Sequence, residues 1–238
     1  MSCIELEIRD SVAVVTMANG ENRQNPTFAA EMLNALATAE SDERVRALVL
    51  SSSDEKNWSQ GVDLAWMLDA QQKGDEEGIR SFMYGMNKVF ACMLTIPIPT
   101  IAAINGHAFG NGAMLACSCD FRFMRADRGY FCFPEVDINI PFMPSMIAFV
   151  RKAIPEYRFN ELKLTGRRAT ATELEEDKVI VAACADRDAT FEAAMDFAMS
   201  FNKGRGIFGE HKRRMHKEIL TTMETEDRPL IESLTLTA

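Results

Sequence analysis

The sequence predicts an α/β fold built on parallel strands, and three observations carry that expectation. Short, wholly apolar runs such as Ala47-Leu48-Val49-Leu50 and Ile101-Ala102-Ala103-Ile104 have the character of strands covered on both faces. Strand, loop and helix patterns alternate through the first two thirds of the chain, as in βαβ units. At 238 residues, 47% hydrophobic and 26% charged, the chain is long enough for one well-packed core.

Each element has its own local reason. The opening MSCIELEIRDSVAVVTM alternates as a strand pair turning near Arg9-Asp10-Ser11, and it lacks the basic start and apolar run of a signal peptide. Asn25 and Pro26 suit a helix N-cap and first turn, with Met32, Leu33 and Leu36 following at helical spacing. A buried strand is expected over 46–51, then a polar loop over 52–61, a short helix over 63–68 and a longer one over 78–94. That helix stops before Ile96-Pro97-Ile98-Pro99, which proline restricts to an extended path. A second buried strand over 100–104 leads into a glycine-rich loop, a helix over 112–119 and a strand over 121–124. From Pro144 onward the pattern is mostly helical, over 145–153, 156–164, 187–202 and 207–223. The expected organisation is a core of residues 1–185 and a helical region of residues 186–238.

Composition excludes several classes. A formal charge of -9 argues against nonspecific nucleic-acid binding, with Lys212-Arg213-Arg214 as the one local basic cluster. No stretch approaches ~18 unbroken apolar residues, so no transmembrane helix and no membrane partner are expected. Cys117 and Cys119 have the wrong spacing for a C-x-x-C redox or zinc site. All six cysteines are expected as reduced, mostly buried thiols in a reducing compartment. The terminal Leu236-Thr237-Ala238 is not an S-K-L type address, which favours the cytoplasm.

Three segments carry candidate chemistry. In open α/β folds ligands sit at the carboxyl ends of strands, where the next loop and helix present free N–H groups. Ser59-Gln60-Gly61-Val62-Asp63-Leu64 follows the first buried strand, with Gly61 permitting a tight turn and Asp63 placed to cap a helix. Gly110-Asn111-Gly112 follows the second, and two donors aimed at one point make an oxyanion hole. The third segment, Phe131-Cys132-Phe133-Pro134-Glu135-Val136-Asp137-Ile138, sets Glu135 in an apolar stretch, where burial raises a carboxyl pKa toward the range useful for proton transfer. Read alone, Glu135 is equally compatible with a loop cap, and the glycine loop with a packing turn. Asp137, two residues on, shares its side if the segment is extended.

Together these segments resemble the crotonase, or enoyl-CoA hydratase/isomerase, superfamily over nearly the whole chain. The stretches that carry the resemblance are S-Q-G-V-D-L (59–64), I-A-A-I-N-G-H-A-F-G-N-G (101–112), C-D-F-R-F-M (119–124) and F-P-E-V-D-I (133–138). The resemblance implies the crotonase fold of repeated ββα/βαβ units, with a helical C-terminal trimerisation region and a trimer or dimer of trimers. It makes the N–H groups of Val62 and Asn111 the oxyanion donors toward an acyl-CoA thioester oxygen. Arg23, Gln60, Gly61, Asp63, Gly110, Gly112 and Met114 are expected around the acyl-CoA. Lys212, Arg213 and Arg214 are candidates for CoA phosphates or for a solvated helix face.

One departure from the hydratase pattern shapes the expected activity. Hydratases of the family carry two glutamates, on the helix after the glycine loop and in the P-E segment. Here the first position is Met114 and only Glu135 remains. A thioether accepts almost no hydrogen bond and so cannot hold the attacking water. The chain is similar to single-glutamate Δ3,Δ2-enoyl-CoA isomerases. These move the double bond of a 3-enoyl-CoA to the 2-trans position, in β-oxidation, through a dienolate and with no metal or redox cofactor. Hydratase activity, another acyl-CoA enolate reaction such as racemisation or decarboxylation, and noncatalytic acyl-CoA binding are the alternatives. His107 is expected to be structural or pocket-lining, and Trp58 and Trp66 to pack or to border the CoA entrance. The pocket walls are expected from the helix over 76–94 and from 142–149.

Overall fold

The computed structural model describes residues 2–235, so the Leu236-Thr237-Ala238 terminus lies outside the described residues. Its spine is a six-stranded sheet. Strands β1 (Ile4–Arg9) and β2 (Val12–Met17) form the opening hairpin, turning through Asp10 at φ 54°. Beyond β2 come β4 (Ala47–Ser52), β7 (Thr100–Ile104), β9 (Phe121–Arg125) and β11 (Ala182–Cys184), in the order β1-β2-β4-β7-β9-β11. All pairs after the hairpin are parallel, as the apolar runs predict.

Alternation along the strands divides the core between the two faces. Leu48, Leu50, Ala102 and Ile104 face the larger core, which they share with helices α1 (Pro26–Ser41) and α3 (Glu76–Thr95). Ala47, Val49, Ile101 and Ala103 face the opposite side with Ala194 and Ala198 of helix α8 (Arg187–Met199). Helix α8 therefore covers the main sheet, although it lies in the chain's last quarter.

Smaller strands turn the chain toward the larger core. Strand β3 (Arg23–Gln24) pairs in parallel with β6 (Gly61–Val62), while β5 (Asn57–Ser59), β8 (His107–Phe109) and β10 (Phe131–Cys132) form a three-stranded sheet. None of these five was expected as a strand of its own, because two or three residues carry no periodicity. Helices α2 (Leu64–Lys73) and α4 (Asn111–Ser118) follow β6 and β8 directly.

The later half is mostly helical, with α5 (Pro144–Ala153), α6 (Glu156–Thr165) and α7 (Ala171–Glu176), the last closed at its start by a Thr170–Glu173 capping box. The expected helix over 207–223 is broken into α9 (Arg205–Met215) and α10 (Lys217–Thr222), then a π-helical turn, Met223–Asp227, and α11 (Arg228–Ser233). Asp227 in that turn is fully buried. It accepts hydrogen bonds from the Ser145 hydroxyl and, at 3.1 Å, from Asn87 Nδ2, tying the C-terminal helices to α5 and α3.

Within the basic cluster of α9, Lys212 departs from both expected roles, while Arg213 and Arg214 form the solvated helix face that was one of them. Lys212 is 3% exposed, and its ammonium donates to Met93 O at 2.9 Å and pairs with Asp120 at 2.7 Å. Arg213 and Arg214 stay at the surface, each paired with Glu210. Helical spacing turns the first of three consecutive cations inward, where an acid from the loop before β9 receives it. All six cysteines are free thiols, five of them buried. No helix among the described residues is long and apolar enough to cross a membrane.

Candidate active site

The glycine-rich turns bring two chain segments into contact. Gly61, at φ +76°, leaves no room for a side chain, since a Cβ there would lie 2.8 Å from Phe109 O and 2.9 Å from Asn111 N. Only glycine satisfies both the left-handed backbone and this approach. The β6 segment is thereby laid against the N-terminus of α4.

Each segment presents a main-chain donor. In the β3–β6 pair, Asp63 N donates to Gln24 O at 2.8 Å, with Gln24 opposite Val62, so the intervening Val62 N–H turns away from β3. Asn111 is the first residue of α4, whose first internal bond runs from Met114 N to Gly110 O at 3.0 Å; no side chain caps this end. The amides of its first turn thus lack helical acceptors and carry the positive end of the helix dipole.

The carboxylate arrives from a third direction. Strand β10 ends at Cys132, and residues Pro134–Val136 form a 3-10 turn rather than an extended strand. Proline starts the turn because its fixed φ suits the first helical position. The turn sends Glu135 inward, 7% exposed, and Asp137 outward toward Gly166 of the α6 C-terminus. The two acids do not share a side, contrary to the extended reading of the segment. Gly110, at φ +53°, borders the acid: a Cβ there would lie 3.0 Å from Glu135 Oε1.

Burial pushes the Glu135 carboxyl up to about 7, with its own backbone N–H and the Lys163 ammonium acting in the opposite direction. Lys163 Nζ lies 3.7 Å from the centroid of the Phe142 ring, which packs edge-on against Phe133. Glu135 Oε2 is buried without a hydrogen-bond partner. A buried carboxylate oxygen with no donor is costly for the structure to keep, and such groups mark places where a proton or a ligand is handled.

Val62, Asn111 and Glu135 line one cavity of about 370 Å³, together with Arg23, Gln60, Gly110 and Met114. Glu135 is the one carboxylate among the described residues of its lining. Apart from Gln71, the remaining walls are apolar. Phe82, Met83 and Met86 come from α3 and Met67 from α2, while Phe142, Met143 and Met146 come from α5 and the segment before it. Six methionines in one lining give a flexible, polarisable surface suited to an acyl chain. Arg23, half-exposed and paired with Glu21 at 2.8 Å, supplies a cation on the lining.

Other expected site residues have structural partners. Asp63 caps α2 by accepting from Trp66 N at 3.1 Å, and Gly112 packs against Ser59; neither lines the cavity. His107 is also outside the lining and stacks on Tyr130 at 5.8 Å, with burial holding its pKa below the usual value. Trp58 is fully buried and Trp66 meets Phe82 edge-on, so both pack. No cluster of His, Cys, Asp and Glu among the described residues is arranged as a metal site.

Residues not anticipated from the sequence connect these parts. Asn22 donates to Ser52 Oγ at 2.7 Å and Trp58 O at 2.9 Å, and Ser59 donates to Asn22 O at 2.7 Å. Gln24 is fully buried beside Asn111. The only sequence signal was a polar run, Gly20-Glu21-Asn22-Arg23-Gln24-Asn25, between a strand and a helix, which reads as solvent-facing loop until its tertiary partners are known.

The model of the enoyl-CoA hydratase/isomerase family matches residues 7–233. The chain belongs to that family. It is 36% identical over 174 residues to enoyl-CoA delta isomerase 2, peroxisomal, of Arabidopsis thaliana, covering 71% of each chain. It is 35% identical over 167 residues to a putative enoyl-CoA hydratase of Thermus thermophilus, covering 68% of this chain and 63% of that one. The fold matches the crystal structure of an enoyl-CoA hydratase/isomerase family protein from Pseudomonas syringae, with TM-score 0.87, 22% identity and 97% of each chain covered. Family membership makes the chain an acyl-CoA enzyme of the crotonase fold, with the cavity around Glu135 as its candidate active site.

Proposed function

We propose that the enzyme is a Δ3,Δ2-enoyl-CoA isomerase acting in fatty acid β-oxidation, with Glu135 as the proton carrier and no added cofactor. The thioester oxygen accepts from the Val62 and Asn111 N–H groups. The Glu135 carboxylate removes a C2 proton from 3-enoyl-CoA, and the electron pair delocalises through C2–C4 onto that oxygen as a dienolate. The same carboxyl returns the proton at C4, the double bond settles between C2 and C3, and atoms and charge balance. Two main-chain donors stabilise the negative oxygen in the transition state, each by roughly 3 kcal/mol in comparable holes.

The observation that carries this reading is the solitary acid. Hydration needs one group to hold and deprotonate water while the α-carbon is protonated; the lining offers Glu135 and, from α4, the Met114 thioether. A carboxyl poised near 7 accepts and returns a proton with little bias at neutral pH. The test follows absorbance of the conjugated thioester. Its growth from 3-enoyl-CoA, with crotonyl-CoA left intact in the same buffer, supports the isomerase; rapid loss from crotonyl-CoA instead means water addition.

The proposed assembly is a homotrimer or a dimer of trimers. It is supported by apolar side chains left exposed beside the site, Val136, Ile138 and Leu164. A monomeric mass by light scattering contradicts it. The proposed location is the cytoplasm, in keeping with six free thiols; peroxisomal targeting of the full chain, as the name of the Arabidopsis relative states for that protein, overturns it.

A further inference from the structure

The two proposed oxyanion donors come from segments about fifty residues apart in the chain, and neither lies within a long rigid element. Strand β6 has two residues, and Gly110, before α4, makes no side-chain cap. Their relative position has to be held by something between them, because a displacement of about 1 Å is enough to lose a large part of the rate.

One residue touches both. The main chain of Gln24 pairs with the first donor segment: Gln24 lies opposite Val62, and its carbonyl accepts from Asp63 N at 2.8 Å. Its side chain grips the second. Gln24 Oε1 accepts from Asn111 Nδ2 at 2.6 Å, and Gln24 Nε2 reaches Asn111 O at 3.5 Å and Ser59 Oγ at 3.4 Å. Ser59 Oγ in turn receives Gly61 N at 3.2 Å and donates to Asn22 O at 2.7 Å. Gln24 is fully buried and Asn111 is 6% exposed, so these amides do not exchange readily with water. Neither Gln24 nor Ser59 lines the cavity, so the network stands behind the donors without touching the acyl-CoA.

We infer that Gln24 is a positioning residue that clasps the Asn111 side chain and so fixes the spacing of the Val62 and Asn111 N–H groups. This inference rests on the isomerase reading for its activity assay, but the clasp acts on any thioester carbonyl bound between the two donors. The short contact to the Asn111 side-chain amide, backed by the longer approach of Gln24 Nε2 to the Asn111 main-chain carbonyl, orients the first residue of α4 and with it the direction of its main-chain N–H. Five of the six lining methionines lie outside α4, with Met114 alone sharing it, so loss of the clasp is felt at the carbonyl and much less in ground-state affinity.

The test compares the wild type with Gln24→Met, which keeps length and burial but removes the amide, with Asn111→Ala, which keeps the main-chain N–H, and with the double variant. Expected for each single variant is a fall in kcat on 3-enoyl-CoA of roughly tenfold to a hundredfold, with KM changed less than about threefold. The double variant should be no worse than either single one, because both remove the same clasp. A spectroscopic readout separates positioning from mere stability: the infrared C=O band of bound butyryl-CoA, labelled with 13C at the carbonyl, lies lower than in solution for the wild type and moves back toward the solution value in the variants. If Gln24→Met does not fold, Asn111→Ala carries both measurements. Unchanged kcat and an unmoved C=O band in a folded variant overturn the inference while leaving the isomerase reading intact. Wild-type protein inactive on every 3-enoyl-CoA, yet with a lowered C=O band that depends on Gln24, overturns the isomerase reading and leaves the clasp.

Discussion

Glu135 makes the enzyme's stability depend on pH in a direction opposite to that of most carboxylates. Its ordinary pKa of 4.5 is raised to about 7 by burial. The unfolded chain therefore gives up this proton near pH 4.5, while the folded chain keeps it until near pH 7. Between those values the folded state binds more protons, so rising pH weakens folding by about 1.4 kcal/mol per pH unit from this group. The contribution is fully present below the unfolded pKa and lost once pH passes the folded one. Over the whole window the loss reaches roughly 3 kcal/mol, an upper figure because a buried site relaxes around a charge. Glu135→Gln removes the titration and keeps the shape. Its stability relative to wild type should be nearly constant below pH 4.5, rise steadily, and level off above pH 7 at an advantage of about 3 kcal/mol, or roughly 6–12 °C in Tm. Paired urea or thermal melts across pH 4.5–8.5 measure this, since other titrating groups cancel in the difference. A flat difference would show that the carboxyl is not desolvated as described and would refute the reasoning.

Three further outcomes follow from the packing. Lys212→Met removes the counter-ion of the mostly buried Asp120, which keeps only its hydrogen bonds from Thr100, and should destabilise the enzyme by about 3 kcal/mol, read by denaturant melts; a change under about 0.5 kcal/mol contradicts the pairing. Gly61→Ala forces a side chain against Phe109 O and Asn111 N at a positive φ, and should lower kcat by about a hundredfold through displacement of both donors; wild-type turnover would place the donors elsewhere. Arg23→Ala should raise KM for acyl-CoA about fivefold with kcat nearly unchanged, as suits one exposed ionic contact of roughly 1 kcal/mol; an altered kcat at constant KM would mean that Arg23 acts in the chemistry.

The parts of the fold that were legible in the sequence are those whose signal is local. Ala47–Ser52 and Thr100–Ile104 are buried on both faces, and an unbroken apolar run shows it. Asn25 and Pro26 announce α1 because a cap acts within one turn, and Asn25 does accept from Phe28 N at 3.1 Å. Strands β3, β5, β6, β8 and β10 were not legible, since their short lengths rest on partners far along the chain. The π-helical turn before α11 holds Asp227 against Ser145 and Asn87, a tertiary contact that helical periodicity does not register.

The site divides the same way. Gly61, Gly110 and Glu135 stood out as candidates because each has a backbone or burial requirement visible in its neighbours, and the structure shows the positive φ of the two glycines and the burial of the acid. Asp63 was read both as a helix cap and as a substrate contact, and the structure bears out the cap; three consecutive cations gave no sign of which one turns inward. Gln24 and Asn22 escaped notice because a polar residue in a polar run gives no sign of being buried. Gln24 is buried where β3 meets β6 and the start of α4, and Asn22 where its amide reaches Ser52 and Trp58, and both are decided only when the whole molecule folds.

The most direct measurement of the central claim compares wild type and Glu135→Gln on a 3-enoyl-CoA in D2O, recording conjugated-thioester absorbance and deuterium at C2 and C4. The account predicts rapid double-bond migration by the wild type, with a loss of at least about a thousandfold and no catalysed exchange in the variant. Full turnover by Glu135→Gln would contradict it.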